Sequence, residues 1–177
     1  MANQEKWILD PTHSEIQFKV KHLVISTVTG TFKSFEASLN TTQDDFSNAE
    51  IDFSIAVDSI DTNQTDRDNH LKSADFFDAE KFPAIKFKST SFVKTGDDYI
   101  LAGDITVKDI TKPIKFAVEF GGTATDFYAN QKAGFELTGK ISRKEFGLTW
   151  SAVTEAGAIV VGDDIKLSAS VQFTKQA

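Results

Sequence analysis

The chain has 177 residues, 40% of them hydrophobic and 25% charged, the composition of one globular domain with a real core and not of a disordered chain. Its 26 acidic and 19 basic residues leave a net charge of −7. That balance argues against nucleic acid and against electrostatic docking on anionic membranes, because both need clustered positive charge.

There is no cysteine, which excludes disulfides, thiol catalysis and thiolate metal sites, and 16 Phe stand against two Tyr and two Trp. Phe has no polar tip to satisfy, so the chain builds much dry aromatic surface. The opening MANQEKWILDP has no basic segment followed by an apolar run, so it does not read as a secretory signal. No stretch approaches the ~18 apolar residues of a membrane span. As written the chain reads as cytoplasmic, and it would read as periplasmic if a signal had been removed.

Period-two alternation then dominates. Ile16, Phe18 and Val20 face one way and Gln17, Lys19 and Lys21 the other, a first strand. Val28, Gly30 and Phe32 continue the pattern, but Phe35, Ala37 and Leu39 have switched parity, which predicts a bulge near Lys33 and Ser34. Ile51, Phe53, Ile55 and Val57 make a third strand. An insert from Asp61 to Thr90 follows. In it Asp66 or Asp68 is expected to cap a short helix with Leu71 on its inner face, and Phe76 and Phe77 sit among charges before Pro83 ends any helix. A helix and turn carrying aromatics between strands has the form of a lid over a pocket.

Ile85 and Phe87 begin the fourth strand, with Lys86 and Lys88 on its other face. Thr95-Gly96-Asp97-Asp98 reads as a hairpin into the fifth, Tyr99 to Val107. The sixth, Ile114 to Phe120, follows Lys112-Pro113, and Gly121-Gly122 reads as a turn. Phe135, Leu137 and Ile141 form the seventh strand and Ile165 to Phe173 the eighth. Between these two, Ser142 to Asp164 has no periodicity yet carries Phe146, Leu148, Trp150, Ala158, Ile159, Val160 and Val161. Such a loop either plugs one end of the fold or shapes a ligand entrance. Strict alternation means one buried and one solvated face per strand, hence antiparallel pairing. Eight long strands joined mostly by short turns favour a closed up-and-down barrel over a sandwich.

Asp66 and His70 share a helix face at a spacing metal ligands use, but a capped, solvated helix start accounts for Asp66, Asp68 and His70 equally, and no metal site is assigned. His13, His22, Asp61 and His70 are the acid–base candidates; only His22 shares the inward parity. There is no nucleophile elbow and no phosphate loop. Arg67, Lys72, Lys86, Lys88 and Arg143 could receive a diphosphate or carboxylate at a barrel mouth, or could pair with Asp61, Asp66, Asp68 and Asp75.

Trp7-Ile8-Leu9-Asp10-Pro11, His13-Ser14 and Phe18 to His22 resemble the opening of YceI-like proteins, a bacterial polyisoprenoid-binding family. Val28-x-Gly30-x-Phe32, the insert, Thr111-Lys112-Pro113, Gly139-x-Ile141-x-Arg143-x-x-Phe146-Gly147 and Val161-Gly162-Asp163 match in the same order. The resemblance runs from Trp7 to about Phe173 and implies one domain over 1–177. The implied fold is an extended eight-stranded antiparallel lipocalin-like barrel with a short helical insert between strands 3 and 4. It implies non-catalytic binding, storage or transport of a long-chain isoprenoid or similar lipid, whether polyprenyl diphosphate, quinone or fatty amphiphile. No cofactor is required and no nucleic acid is a partner; a homodimer is within the family's range.

On this reading Phe18, Val20, Phe32, Phe53, Ile55, Phe87, Ile105, Phe116, Phe135 and Ile141 line the tunnel and Phe76 and Phe77 the mouth, with His22, Arg67 or His70 at a polar head. An empty apolar void of ~500 Å³ would cost on the order of 10 kcal/mol, so the interior must be packed, wetted or filled by lipid. The rival readings are an enzyme acting on an isoprenoid or quinone through His22, and a ligand-free structural or stress-response barrel.

Overall fold

The alternation resolves into strands β1 (Glu5–Leu9), β2 (Glu15–His22), β3 (Ser26–Phe32), β4 (Phe35–Thr41), β5 (Glu50–Ala56), β6 (Ile60–Asp61), β7 (Ala84–Thr95), β8 (Asp98–Val107), β9 (Ile110–Thr125), β10 (Gln131–Ser142) and β11 (Val161–Lys175), with one helix, α1 (Thr65–Lys72). These come from a computed structural model that describes residues 4–23, 25–43, 45–148 and 161–177.

Six of these strands are three long ones, each broken once. β1 and β2 run along β11 on either side of a 3₁₀ turn at Pro11–His13, β3 and β4 are separated only by Lys33 and Ser34, and β5 passes into β6 through a turn at Val57–Ser59. Counted so, eight antiparallel strands follow one another in chain order and β11 returns to β1, closing the barrel. The parity switch near Lys33 and Ser34 is this break. The sequence reading started the first strand at Ile16; it begins at Glu5, because Pro11 interrupts the strand without ending it.

Hydrogen bonds tie the second break to the third and the first to β11. The Lys33 amide donates to the Ser59 carbonyl at 3.1 Å and the Ala56 amide to the Ser34 carbonyl at 2.9 Å. At the first break the Asp10 amide donates to the Gln172 carbonyl at 2.7 Å, and the Gln172 amide donates to Ser14 Oγ at 3.0 Å.

Asp10 organises that corner. Its carboxylate accepts from the Thr12 amide at 3.0 Å, from Thr12 Oγ1 at 2.6 Å and from Lys132 Nζ at 3.0 Å, and it faces His13 Nδ1 at 2.8 Å. The Thr12 hydroxyl foremost, with His13 and Lys132, holds the carboxyl well below the usual carboxylate range against the opposing effect of partial burial. A carboxyl depressed in the folded state stabilises above its unfolded value and stops doing so as pH falls through the folded one. Asp10→Asn is therefore expected to lower the melting temperature at neutral pH, and the deficit should shrink as pH falls below about 4, where the carboxyl of the unfolded chain takes up its proton while the folded one is still charged. A deficit that is the same in acid and at neutrality would remove Asp10 from this role.

Gly96 and Asp97 make the two-residue β7–β8 hairpin, with Gly96 in the left-handed region at φ 68° as such a turn requires. Gly121 and Gly122 are not a turn. They lie inside β9 opposite Gly134, where the register shifts by a bulge, and the chain reverses at Asp126–Asn130 instead. Neither Asp66 nor Asp68 caps α1. Gln64 holds that position without a side-chain bond, and Asp68, within the first turn, accepts from the Thr62 amide at 2.8 Å.

One stretch of wall is not laddered on both sides. β9–β10 pairing runs from Gln131↔Thr125 to Thr138↔Ala117 and stops there, although β9 starts at Ile110 and β10 ends at Ser142. Pro113, which cannot donate to a ladder, sits in this half-paired part of β9. The 3₁₀ turn Arg143–Phe146 leans over the seam, and Lys108 Nζ donates to the Gly147 carbonyl across it at 3.3 Å.

Candidate functional site

The barrel interior is divided lengthwise. At the end that holds the 41–50, 95–98 and 126–130 connections, aromatic rings meet edge to face and fill the bore. Phe46 contacts Trp7 at 5.2 Å, Phe135 at 5.5 Å and Phe120 at 5.6 Å between centroids, and Phe92 stacks on Tyr99 at 4.4 Å. This is a packed core of quadrupole-matched pairs. Phe135 belongs to it and not to the cavity wall, which corrects its sequence assignment.

The other half encloses a cavity of about 160 Å³. Its wall is built from the inward sides of nearly every strand: Phe18 and Val20 of β2, Phe32 of β3, Phe53 and Ile55 of β5, Phe87 of β7, Ile105 of β8, Phe116 of β9 and Ile141 of β10. The insert closes over it. Leu71 of α1 and the following Phe76 and Phe77 reach the same cavity, with Phe76 only 6% exposed and Phe77 edge-on to Phe32 at 6.4 Å. The structure therefore brings eleven of the twelve sequence-named tunnel residues around one space, Phe135 being the exception.

Glycines keep that space open. Phe18 stands opposite Gly30 in the β2–β3 ladder and its ring lies where a Gly30 side chain would be. Phe116 lies over Gly139 in the same way, its ring 2.6 Å from the position of a Cβ built there, and Phe87 does so over Gly103. Rings flattened against the wall line the bore without crossing it. If dry and empty, a void of 160 Å³ would cost about 4 kcal/mol at ~24 cal/mol per Å³, a large share of a domain's stability.

The three head-group candidates stand outside the cavity wall. His22 is half-buried at the end of β2, opposite Ser26 and Val161. Arg67 turns back on Thr62, donating to its Oγ1 at 2.7 Å and its carbonyl at 2.6 Å. His70 Nε2 meets Asp75 at 2.9 Å and its ring packs edge-on to Phe76 at 5.0 Å. Of the other basic candidates, Lys72 pairs with Asp58 at 3.6 Å and the side chains of Lys86 and Lys88 are exposed on the outer wall.

Of the charged residues along the cavity, Lys86 turns its side chain outward and Arg143 is buried. It is 2% exposed and donates from Nε to the Gly162 carbonyl at 2.8 Å, from Nη1 to the Leu148 carbonyl at 2.6 Å and from Nη2 to the Val161 carbonyl at 3.3 Å. Asp163 lies 3.8 Å from Nη2. Burial draws the guanidinium below the ordinary arginine pKa and the Asp163 carboxylate opposes that shift. Its fork of donors stitches the start of β11 to the turn after β10, and Phe146 and Leu148 are buried beside it. Of the apolar residues named in this loop, Leu148 and Val161 line the cavity and Phe146 is buried without lining it; Trp150, Ala158, Ile159 and Val160 lie outside the described residues.

The sequence places Arg143 among the basic groups of a barrel mouth and not among the tunnel residues; the signal for its burial is its position three residues before Phe146-Gly147, where the apolar period of the seventh strand ends.

A family model described as "YceI-like domain" matches residues 7–173. A UPF0312 protein of Staphylococcus epidermidis is 37% identical over 170 residues, covering 96% of this chain and 97% of that protein. Among solved structures, the YCEI protein of Campylobacter jejuni is 33% identical with a TM-score of 0.74, over 89% of this chain and 90% of that one. A polyisoprenoid binding domain from Saccharophagus degradans shares the fold, with a TM-score of 0.70 at 13% identity over 96% of this chain and 98% of that one.

Proposed function

This chain belongs to the YceI-like family, and we propose that it binds a long-chain lipid, an isoprenoid or an amphiphile of similar length, in the cavity beneath α1. One observation carries the reading: a partly open cavity whose wall is mostly phenylalanine and aliphatic side chains, held open by glycines and destabilising if left dry and empty. A hydrocarbon chain removes that cost and contributes ~0.8 kcal/mol for each methylene it buries. The fold is shared with a domain described as polyisoprenoid binding, which agrees with such a ligand.

The protein acts as a carrier or store and not as a catalyst on this reading. Among the described residues the wall includes no carboxylate and no histidine, and Arg143 spends donors on the backbone. The polar end of the ligand would meet the protein outside the hydrocarbon section, so affinity rests on the tail.

Native mass spectrometry of protein purified from bacteria without detergent, followed by organic extraction, tests this. A stoichiometric adduct released as an isoprenoid, quinone or fatty amphiphile is expected. A clean apo mass that persists after incubation with such lipids would favour the ligand-free structural barrel.

A further inference from the structure

The outer wall of the barrel is as ordered as the inner one. Lys140 stands directly opposite Lys166 in the β10–β11 ladder, and Lys166 directly opposite Lys19 in the β11–β2 ladder. Lys115 faces outward on β9, on the other side of the seam from Lys140. All four are exposed. Like charges directly opposite across a ladder are destabilising. Here three lie in one row, with a carboxylate within 4 Å of only Lys140, Asp164 at 3.1 Å, among the described residues. A chain with 26 acidic residues thus carries a self-repelling basic row on three adjacent strands.

Apart from Asp163 and Asp164 at the start of β11, which pair with Arg143, Lys144 and Lys140, the acids of these strands stand in a second row. Glu119 stands opposite Glu136, and Glu15 opposite Ser170, all exposed. Each acid is four residues along its strand from a lysine of the first row: Lys115 and Glu119, Lys140 and Glu136, Lys19 and Glu15. Four residues are about 13 Å of strand. The Debye length at physiological salt is about 8 Å, so the basic row acts on a nearby surface largely without the acidic one. Between them lie the uncharged Ala117, Thr138, Ser168 and Gln17. The net charge of −7 argued against anionic membranes only because it could not show this segregation.

We propose that the lysine row on β9, β10, β11 and β2 docks the barrel on an anionic lipid bilayer, cavity end towards the lipid and acidic row away from it. The row lies on the cavity half of the barrel, on the far faces of the strands that carry Phe18, Phe116 and Ile141 inward. At the same end Ile25, in the β2–β3 turn, is 87% exposed. Lysines on the wall and an exposed apolar tip at the same end suit an interfacial anchor, because lysine ammoniums meet lipid phosphates while the apolar group enters the headgroup layer. Nucleic acid would satisfy the lysines but offers Ile25 nothing. Docking does not depend on what fills the cavity; its use, to bring the barrel to a source of long-chain lipid, rests on the lipid-binding reading above.

The test is co-sedimentation of delipidated protein with vesicles of phosphatidylcholine containing about one-third phosphatidylglycerol, beside vesicles of phosphatidylcholine alone. The protein should pellet with the first only, and raised salt should release it. Each lysine near the surface is worth about five-fold in partitioning, so Lys19→Gln, Lys140→Gln and Lys166→Gln together should weaken binding on the order of 100-fold. Lys86→Gln with Lys88→Gln, on the opposite wall, should leave it unchanged. Equal binding to both vesicles, no binding to either, full binding by the triple variant, or loss in the Lys86/Lys88 pair would each overturn the proposal. Extraction of lipid from the same wild-type preparation reports on the cavity separately, so failure of docking and failure of lipid binding are told apart.

Discussion

Replacing Arg143 with methionine is expected to lower the unfolding free energy by about 3–5 kcal/mol, the scale seen when one side of a buried charged network is removed. The guanidinium serves the carbonyls of Leu148, Val161 and Gly162 from a nearly dry position. Methionine fills similar volume but leaves those acceptors without a donor, and Asp163 loses its buried partner. Arg143→Lys should fall between the two, because a single ammonium cannot reproduce three divergent N–H bonds. Urea denaturation measures both. A loss below about 1 kcal/mol for the methionine variant would mean that water replaces the guanidinium and that Arg143 does not fasten this end of the barrel.

That residue also shows what the sequence could convey. Local alternation reports which face a side chain takes, so Phe18, Phe53, Phe87 and Phe116 were legible as inward and Lys19, Lys86 and Lys88 as outward. It does not report height in the barrel. Phe116 and Phe120 have the same parity on β9, yet the first lines the cavity and the second is packed against Phe46 and Phe135. The difference arises from strand stagger, a long-range quantity that also misplaced Phe135. The lysine row is hidden for the same reason: β10, β11 and β2 bring Lys140, Lys166 and Lys19 together by register, over 147 residues of sequence from Lys19 to Lys166 (166 − 19). Arg67 and His70 were attractive as polar groups beside aromatics, but each has a local partner, Thr62 and Asp75, that a short helix supplies before any ligand can.

Gly30→Val is expected to cut co-purified lipid at least about ten-fold while the barrel stays folded. Valine suits a strand, and Gly30 has an ordinary extended backbone, so the substitution acts through space and not through conformation. Its side chain would occupy the place of the Phe18 ring, whose far end is what must move, and the open direction is into the cavity. The strain of overpacking, typically about 1–3 kcal/mol, is offset in part because the displaced ring fills a void that itself costs about 4 kcal/mol. Phe116→Asp should empty the cavity by another route, setting a carboxylate against hydrocarbon, and should also lower stability because that charge is poorly solvated. The two variants separate loss of space from loss of fold. Lipid extraction and thermal melts on each decide the matter: if a folded Gly30→Val protein and Phe116→Asp both retain the wild-type lipid load, the ligand does not occupy this cavity.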